Sequence, residues 1–350
     1  MRVLVTGHNG YVGTVMMPML LAAGHDAVGL DTNLYAGATF GKELDTPYFP
    51  AVNKDIRDIT LDDLVSFDAV IHLAGLSNDP LGDLNPQLTY DINYRASVRL
   101  ARLAKQAGVE RFIFSSSCSN YGAGGQDWLD ENSSFNPVTP YGRSKVMVEQ
   151  ALVDLADDNF SPTYLRSATA YGVSPRLRFD LVINNLVAWA YTTGRVYLKS
   201  DGTPWRPVVH IEDMSRAFLA VLEAPREVIH NEAFNVGRPE ENYRISELAD
   251  IVAETVPGSR IEYAAGAGPD KRCYRVDSSK IARLLPAYQP QWTARRGAAE
   301  LYAAYQAVGL EPDEFEGPRY RRIHHIKQLL AHGRLQSNLR WDEPAYAWST

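Results

Sequence analysis

The strongest indication of the fold is the segment Val3-Leu4-Val5-Thr6-Gly7-His8-Asn9-Gly10-Tyr11-Val12-Gly13, near the start of the chain. A short β-forming run leads directly into glycines at three-residue spacing, and apolar residues at helical spacing follow from Tyr11 to Ala23. A strand, a glycine turn and a helix in this order favour a phosphate cradle. Glycines let a pyrophosphate approach the backbone, and the helix start offers unpaired N–H groups. The alternative is a simple tight turn.

An acidic residue, Asp31, ends the second predicted strand, about 20 residues beyond the glycines, as a dinucleotide site requires. A carboxylate there accepts hydrogen bonds from the ribose hydroxyls and repels the extra phosphate of NADP, so NAD is the expected cofactor. The cofactor-binding residues predicted from this unit are Gly7, Asn9, Gly10, Tyr11, Val12, Gly13 and Asp31.

The first half of the chain alternates apolar runs with helical stretches, which predicts an α/β Rossmann-type fold with a doubly wound parallel sheet. The predicted strands are Val3 to Thr6, Ala27 to Asp31, Ala69 to Ala74, Arg111 to Ser116 and Thr163 to Ser167. The predicted helices are Tyr11 to Ala23, Tyr90 to Ala107, Tyr141 to Leu155, Glu212 to Glu223 and Ser246 to Thr255.

Two further strand ends are expected at the cofactor, because ligands of such sheets bind at the carboxyl ends of the strands. Asp55 and Ile56 follow the expected third strand and are predicted to contact adenine. Leu73, Ala74 and Gly75 end the next strand, and the last two are small enough to pass beneath the cofactor.

The chain is divided into three parts. Residues 1–172 are predicted to form the NAD-binding domain with the catalytic residues, and 173–285 mainly a smaller substrate-binding lobe with some return to the core. Residues 286–350 form a C-terminal extension of unknown role. Its basic run Arg319 to Arg322 and the pair His324-His325 are interpreted as a solvated helix face rather than a ligand site.

Composition excludes several classes. With 350 residues and a net charge of -7, the chain has no basic field for nucleic acid. The two cysteines, Cys118 and Cys273, are far apart, so neither a disulfide framework nor a metal site is expected, and a reducing cytoplasm fits best. No leader or membrane-spanning run is evident, so the mature protein is expected to start at Met1 and to have no membrane partner.

A second motif, Thr139-Pro140-Tyr141-Gly142-Arg143-Ser144-Lys145, predicts a helix start with Thr139 as cap and Pro140 in the first turn. Tyr141 and Lys145 then lie one turn apart on the same face. A phenol with a pKa near 10 is a poor base, but an adjacent ammonium favours the phenolate. Alone, the pair could equally be an exposed tyrosine above a solvated lysine.

The chain resembles the extended short-chain dehydrogenases/reductases, the NAD-dependent epimerase/dehydratase family, whose members include UDP-galactose 4-epimerase and dTDP-glucose 4,6-dehydratase. The motifs that carry the resemblance are the glycine turn, Asp55-Ile56, His72-Leu73-Ala74-Gly75, Phe114-Ser115-Ser116-Ser117-Cys118-Ser119-Asn120-Tyr121-Gly122, Tyr141-Gly142-Arg143-Ser144-Lys145 and Arg206-Pro207-Val208-Val209-His210-Ile211-Glu212-Asp213.

The resemblance implies a nucleotide-diphosphate sugar as substrate. It implies that Tyr141 removes a sugar hydroxyl proton, that Lys145 lowers the pKa of Tyr141 and holds the nicotinamide ribose, and that Ser117 hydrogen-bonds the reacting hydroxyl while hydride passes to NAD. Asn93 is implied to be a structural or cofactor-side residue. The resemblance also implies a homodimer, because the helices starting near Tyr90 and Tyr141 form a dimer interface in such enzymes.

Dehydratases of the family carry acidic residues just after the catalytic Ser or Thr, because elimination of water needs a general acid and a base. Cys118 and Ser119 stand there, and decarboxylases carry Glu at the position of Ser119. Ketoreductases tend to bind NADP, which Asp31 opposes. An epimerase is therefore the leading prediction. A dehydratase with acids elsewhere and a non-catalytic NAD-binding regulator remain open.

Cys118 is weighed as an unusual acid or base, against a favoured role as a small buried side chain. The predicted substrate-binding residues are less firmly supported by motifs. Arg206 matches the family's phosphate-binding arginine, Arg272 lies near a second such position, and Thr169 replaces an Asn that contacts phosphate in the epimerase pattern. Ser119 and Asn184 complete this set. The sequence does not name the base, the sugar or the carbon.

Overall fold

A parallel seven-stranded sheet lies at the centre of the structure, a computed structural model that describes residues 1–41, 48–77, 85–125, 127–268, 270 and 272–342. The strands are β1 Arg2–Thr6, β2 Asp26–Asp31, β3 Ala51–Asn53, β4 Ala69–His72, β5 Arg111–Ser117, β6 Trp128–Leu129, β7 Ser161–Ser167, β8 Thr169–Tyr171, β9 Arg195–Ser200, β10 Trp205–His210, β11 Glu232–Val236, β12 Asn242–Arg244, β13 Arg260–Gly268 and β14 Arg275–Val276.

The described α-helices are α1 Gly13–Ala22, α2 Pro86–Thr89, α3 Ser97–Gln106, α4 Pro140–Val153, α5 Val182–Thr193, α6 Ile211–Glu223, α7 Arg226–Ile229, α8 Ile245–Thr255, α9 Ser279–Leu284, α10 Ala294–Val308, α11 Pro312–Phe315 and α12 Arg322–Ala331. Short 3-10 turns lie at Ile56–Asp58 and Cys118–Asn120. No helix in these described ranges is both long enough and apolar enough to cross a membrane.

The strand order of the central sheet is β11-β7-β5-β4-β1-β2-β3, and every neighbouring pair is parallel. Alternate residues of β1 face opposite sides: Val3 and Val5 join one hydrophobic cluster and Leu4 joins the other. Both faces of the sheet are therefore covered, which explains why its strands are apolar runs rather than alternating patterns. The predicted doubly wound α/β fold is confirmed.

The segment predicted as one helix from Tyr90 to Ala107 is different in the structure. It is a π-helix over Tyr90–Ala96 that continues into α3. The wider turn lies where Asn93 is hydrogen-bonded to the backbone of Leu76 in the loop after β4. A π-turn of this kind re-aims one side chain without ending the helix.

Outside the central sheet, β8, β10 and β12 form a second sheet, and β13 pairs with β9. The chain then returns through α10 to α12. The interpretation of 319–322 as a solvated helix face is wrong for Tyr320 and Arg322, which are 1% and 7% exposed. The end of the predicted extension, 343–350, lies outside the described residues.

Candidate active site

A single continuous cavity of about 790 Å³ opens at the carboxyl ends of the central strands. This is the edge at which parallel sheets of this type bind ligands. Of the residues predicted from the sequence, those on the cavity wall are Gly7, Gly10, Tyr11, Val12, Asp31, Asp55, Ile56, Leu73, Ala74, Gly75, Ser117, Ser119, Tyr141, Lys145, Thr169, Arg206 and Arg272.

The glycine turn is built so tightly that side chains cannot enter it. Gly7 has a φ of +78°, and a Cβ there would lie 2.7 Å from the Ala74 backbone nitrogen. A Cβ on Gly13 would lie 2.4 Å from the His8 carbonyl oxygen. Gly13 therefore keeps α1 against the turn without itself lining the cavity, and the bare backbone between the two glycines is free to approach a phosphate.

Asp31 ends β2 with its carboxylate held in place by backbone amides. The amides of Asn9 and Asn33 donate hydrogen bonds to its two oxygens at 3.1 and 2.9 Å. Asn9 is off the cavity wall, and its side-chain amide donates to Asn33 Oδ1 at 2.8 Å. The structure thus places Asn9 behind the carboxylate rather than in the cavity.

Asp55 lies on the same side of the cavity, but its carboxylate is bound to a neighbouring arginine. Arg57 donates from Nε to Asp55 Oδ1 at 2.9 Å and from Nη2 to Asp55 Oδ2 at 2.6 Å. Asn93 is buried beneath the loop after β4, where its amide accepts from Leu76 N at 2.7 Å and donates to Leu76 O at 3.0 Å. Asn93 therefore shapes the loop that carries Gly75.

Tyr141 and Lys145 lie near the start of α4, which Thr139 caps by accepting from Gly142 N at 3.2 Å. Lys145 is buried, and its Nζ donates to the Ser115 carbonyl oxygen at 2.6 Å. The same Nζ lies 5.7 Å from the centroid of the Tyr141 ring.

Burial lowers the pKa of Lys145 to about 8, against an opposing effect from the charge of Glu149. The ammonium therefore keeps its charge at neutral pH in a poorly solvated position. The charged Lys145 Nζ and the Tyr141 ring therefore lie side by side on the cavity wall.

Ser117 is the last residue of β5 and projects at the edge of the sheet. Its hydroxyl oxygen accepts from the Ser119 amide at 3.1 Å and from the Ser119 hydroxyl at 2.9 Å. Because a hydroxyl can accept twice and donate once, the O–H of Ser117 can still donate to a ligand.

Beneath this group lies a buried polar network that no motif in the chain predicted. Arg166 on β7 and Glu149 on α4 form an ion pair with an Nη2 to Oε2 distance of 2.7 Å. Asn120 donates to the same carboxylate at 3.0 Å, and Ser116 also donates to it. The network ties α4 to the strands that end at Ser117.

Cys118 is off the cavity wall. Its side chain is 1% exposed, its thiol donates to the Arg166 carbonyl oxygen at 3.1 Å, and burial raises the pKa of the thiol. A thiol buried in this way is neither accessible nor readily ionised. The geometry corrects the suggestion that Cys118 acts as an acid or base and favours the small buried side chain.

The far end of the cavity carries two arginines around one carboxylate. Arg206 Nη2 and Arg272 Nη2 lie 3.0 and 2.7 Å from Asp270 Oδ2. Although burial acts to raise the pKa of Asp270, the hydrogen bonds from Arg272 hold it below its usual value. Guanidinium groups suit phosphate oxygens, because their planar N–H donors match the geometry of an oxyanion. Thr169, at the start of β8, is also on the wall.

Asn184 is not brought into the cavity. It is fully buried, accepts from Gly172 N at 3.0 Å and donates to Arg178 O at 2.9 Å. Its neighbour Asn185 lines the cavity instead.

Sequence reasoning also missed several wall residues. They are Tyr35, Lys54, Arg57, Ser77, Arg178, Asp180, Lys199, Asp270 and Arg322. Arg178 follows the end of β8, which was a usable signal because strand ends meet at this edge. Arg322 had none.

The glycine turn beside Asp31, and the serine, tyrosine and lysine further along the same cavity, together define the class of NAD-dependent extended short-chain dehydrogenases/reductases. Residues 3–237 match the family model described as the NAD dependent epimerase/dehydratase family, and the chain belongs to that family.

Proteins similar to this chain include both epimerases and dehydratases. A UDP-glucose 4-epimerase of Bacillus subtilis (strain 168) is 29% identical over 330 residues, covering 87% of this chain and 95% of its own. The structure of MoeE5 in complex with UDP-glucuronic acid and NAD has a TM-score of 0.76 and 26% identity, covering 88% and 99% of the two chains. DesIV, a dTDP-glucose 4,6-dehydratase from Streptomyces venezuelae with NAD and TYD bound, has a TM-score of 0.74 and 25% identity, covering 88% and 97%. The particular reaction therefore has to be argued from the side chains.

The residues present fit NAD, the cofactor of the family. The glycine turn has no room for side chains, a carboxylate stands at the end of β2, and one cavity connects both to Tyr141 and Lys145. Among the described residues, no group of metal-ligating side chains is found.

Proposed function

We propose that this chain is an NAD-dependent nucleotide-sugar epimerase that oxidises one sugar carbon transiently and reduces it again. One observation favours epimerisation over elimination of water: the carboxylates on the cavity wall are already engaged by other groups of the protein. Four carboxylates occur among the described wall residues, Asp31, Asp55, Asp180 and Asp270. The first accepts from backbone amides, and the other three are in ion pairs with arginines. None of the four follows Ser117, where a dehydratase acid is expected, and Ser119 offers only a hydroxyl.

Each proposed catalytic residue has a defined task. Tyr141, as the phenolate, takes the proton of the sugar hydroxyl and gives it back when the carbon is reduced. Lys145 stabilises that phenolate and is itself held by the Ser115 carbonyl oxygen. Ser117 donates a hydrogen bond to the reacting oxygen. NAD, when bound, supplies the hydride acceptor and is regenerated within the same turnover.

The two ends of the cavity are proposed to hold the two ligands. The bare turn from Gly7 to Gly13 and the carboxylate of Asp31 would hold the pyrophosphate and the ribose of NAD. Arg206 and Arg272 would hold the diphosphate of the substrate, because both line the cavity and Asp270 orients both guanidinium groups.

The test is to incubate the purified protein with UDP-, GDP-, CDP- and dTDP-sugars and to analyse products by mass spectrometry and NMR. Unchanged mass with inverted stereochemistry at one carbon is expected. Loss of water, loss of carbon dioxide or a gain of two hydrogens would instead indicate a dehydratase, a decarboxylase or a ketoreductase. No change with any sugar would favour the NAD-binding regulator.

A single substitution can distinguish the proposed role of Tyr141 as the base from a role in binding NAD. Tyr141→Phe is expected to bind NAD with unchanged affinity and to lose turnover, because only the phenolic oxygen is removed. Turnover at the wild-type rate would contradict the assignment of Tyr141.

We also propose that the protein acts in the cytoplasm as a homodimer, through α3 with its π-helical start and α4. Two free cysteines, Cys118 and Cys273, fit a reducing compartment. Light scattering on the purified protein measures the mass, and a monomer of 38.9 kDa would contradict the dimer.

A further inference from the structure

The last described part of the chain, residues 319–342, folds over the loop that follows β2 at one end of the cavity. We call these residues the C-terminal clasp. His325 Nε2 donates to the Leu34 carbonyl oxygen at 2.9 Å, and Trp341 Nε1 donates to the Thr32 carbonyl oxygen at 2.7 Å. The clasp is therefore fixed directly to the loop beyond the ribose-binding position.

The clasp is also fixed to the turn that follows β3. Arg340 forms an ion pair with Asp58, and its hydrogen bonds lower the pKa of that carboxyl. Arg57 Nη1 donates to the Asn338 carbonyl oxygen at 2.8 Å. Between these contacts Leu339 is 4% exposed and lies on the cavity wall.

Apolar packing holds the clasp on the sheet. Ile326, Leu335 and Leu339 belong to the same hydrophobic cluster as Leu30 of β2 and Ile56. A solvated tail would expose these side chains, so burial makes the clasp an integral part of the domain.

Arg322 projects from the clasp into the cavity. Its guanidinium carbon lies 3.6 Å from the centroid of the Tyr35 ring, and its Nη2 donates to the Arg176 carbonyl oxygen at 3.2 Å. Burial lowers the pKa of Arg322 to about 10, and the charges of Asp180 and Asp31 act in the opposite direction. The group is thus a desolvated cation that keeps its charge at neutral pH, stacked on an aromatic ring beside the ribose-binding carboxylate.

We propose that the C-terminal clasp closes the adenosine end of the NAD site, with Arg322, Tyr35 and Leu339 contacting the adenosine half of the cofactor. A guanidinium stacked on one aromatic ring offers a flat charged surface and N–H donors to a second ring and to ribose oxygens. The side chain of Leu339 supplies an apolar wall. This inference rests on the NAD site of the proposed function and not on the reaction.

The clasp has a consequence for how NAD is used. Release of the adenosine half requires the contacts of His325, Trp341 and Arg340 to open together, so dissociation is expected to be slow. Slow release suits an enzyme that regenerates NAD in each turnover and would limit one that consumes NADH as a co-substrate.

The experiment measures cofactor binding without any sugar. Calorimetry gives the Kd of NAD, ADP-ribose, AMP and nicotinamide mononucleotide, and displacement of bound NADH by excess NAD gives a dissociation rate from NADH fluorescence. The variants are Arg322→Met, which keeps the bulk but removes the charge, and Trp341→Phe, which removes the N–H donated to Thr32. Arg334→Ala is the matched control, because Arg334 is an exposed arginine of the same segment.

Arg322→Met is expected to weaken NAD, ADP-ribose and AMP by about tenfold each, the scale of one charge-assisted contact, and to leave nicotinamide mononucleotide unchanged. Trp341→Phe is expected to raise the NADH dissociation rate several-fold, and Arg334→Ala to resemble the wild type. Wild-type binding and dissociation in both variants would overturn the proposal, as would equal weakening of all four ligands by Arg322→Met.

The outcome is separable from that of the proposed function. If Arg322→Met selectively weakens the adenosine ligands but no sugar is converted, the clasp stands and the epimerase proposal fails. If a sugar is epimerised while both variants bind and release the cofactor like the wild type, the clasp fails and the epimerase proposal stands. Thermal unfolding of each variant shows whether it is folded, and Trp341→Phe carries the test if Arg322→Met does not fold.

Discussion

Replacing Lys145 with methionine is expected to stabilise the NAD-free protein while removing its activity. Burial lowers the pKa of Lys145 from 10.5 to about 8. Since a difference of one in pKa corresponds to about 1.4 kcal/mol, keeping this ammonium charged in the folded state costs about 3 kcal/mol at neutral pH. Methionine avoids that cost but also loses the hydrogen bond to the Ser115 carbonyl oxygen, which offsets about half of it. The expected net gain is about 1 to 2 kcal/mol in the free energy of unfolding.

The direction of the pH dependence follows from the lowered pKa. Below about pH 8 the lysine is charged in both the folded and the unfolded state, so the wild type bears the full cost. As the pH rises from about 8 towards 10.5, the folded state loses the proton before the unfolded state does, and the cost disappears. The stability advantage of Lys145→Met should therefore shrink across this range.

Urea unfolding of the NAD-free proteins near neutral pH and at about pH 9.5 measures both effects. Lys327→Met is the control, because Lys327 is an exposed lysine on α12. A variant that is less stable than the wild type near neutral pH, or a stability difference that does not change with pH, would refute the burial argument. Wild-type turnover in Lys145→Met would refute the catalytic role.

Three further predictions concern single residues. Asp31→Asn should reduce the preference for NAD over NADP, because it removes the charge that repels the added phosphate; calorimetric titration with both dinucleotides measures the ratio, and an unchanged ratio contradicts this. Gly7→Ala should abolish NAD binding in the same assay, since a Cβ at this φ of +78° would lie 2.7 Å from the Ala74 nitrogen, and wild-type affinity would show that the turn is not the cradle. Cys118→Ala should keep kcat within about threefold, because the thiol is buried off the cavity, whereas a loss of about a hundredfold in a product assay would restore it as an acid or base.

The fold and the family were predictable because their signals are local in the sequence. Glycine spacing, the acidic residue at the end of β2 and the capped helix with Tyr141 and Lys145 each depend on residues close together along the chain. The α/β fold, the family and NAD are confirmed. The individual roles of Ser117, Tyr141 and Lys145 stay predictions, although the structure places all three on one cavity.

The incorrect predictions concern residues whose side-chain direction depends on a single step along a helix or turn, or on a contact distant in the sequence. Consecutive residues on a helix point about 100° apart, so Asn184 faces the interior while Asn185 faces the cavity. Cys118 is one residue beyond Ser117, yet the 3-10 turn that begins there directs its side chain into the interior.

The amino-acid sequence alone was enough to predict the parallel sheet and NAD. It also led to the proposed roles of the glycine turn, Ser117, Tyr141 and Lys145, because each of these signals lies in residues close together along the chain. Three features are visible only in the folded chain: the pairing of cavity acids with arginines, the ion pair of Glu149 and Arg166 beneath the candidate active site, and the entry of Arg322 into the cavity beside Asp31. Asp31 and Arg322 are 291 positions apart in the sequence, so no local pattern links them. They are close in space because Ile326, Leu335 and Leu339 are buried against the sheet, in a hydrophobic cluster whose members come from distant parts of the chain.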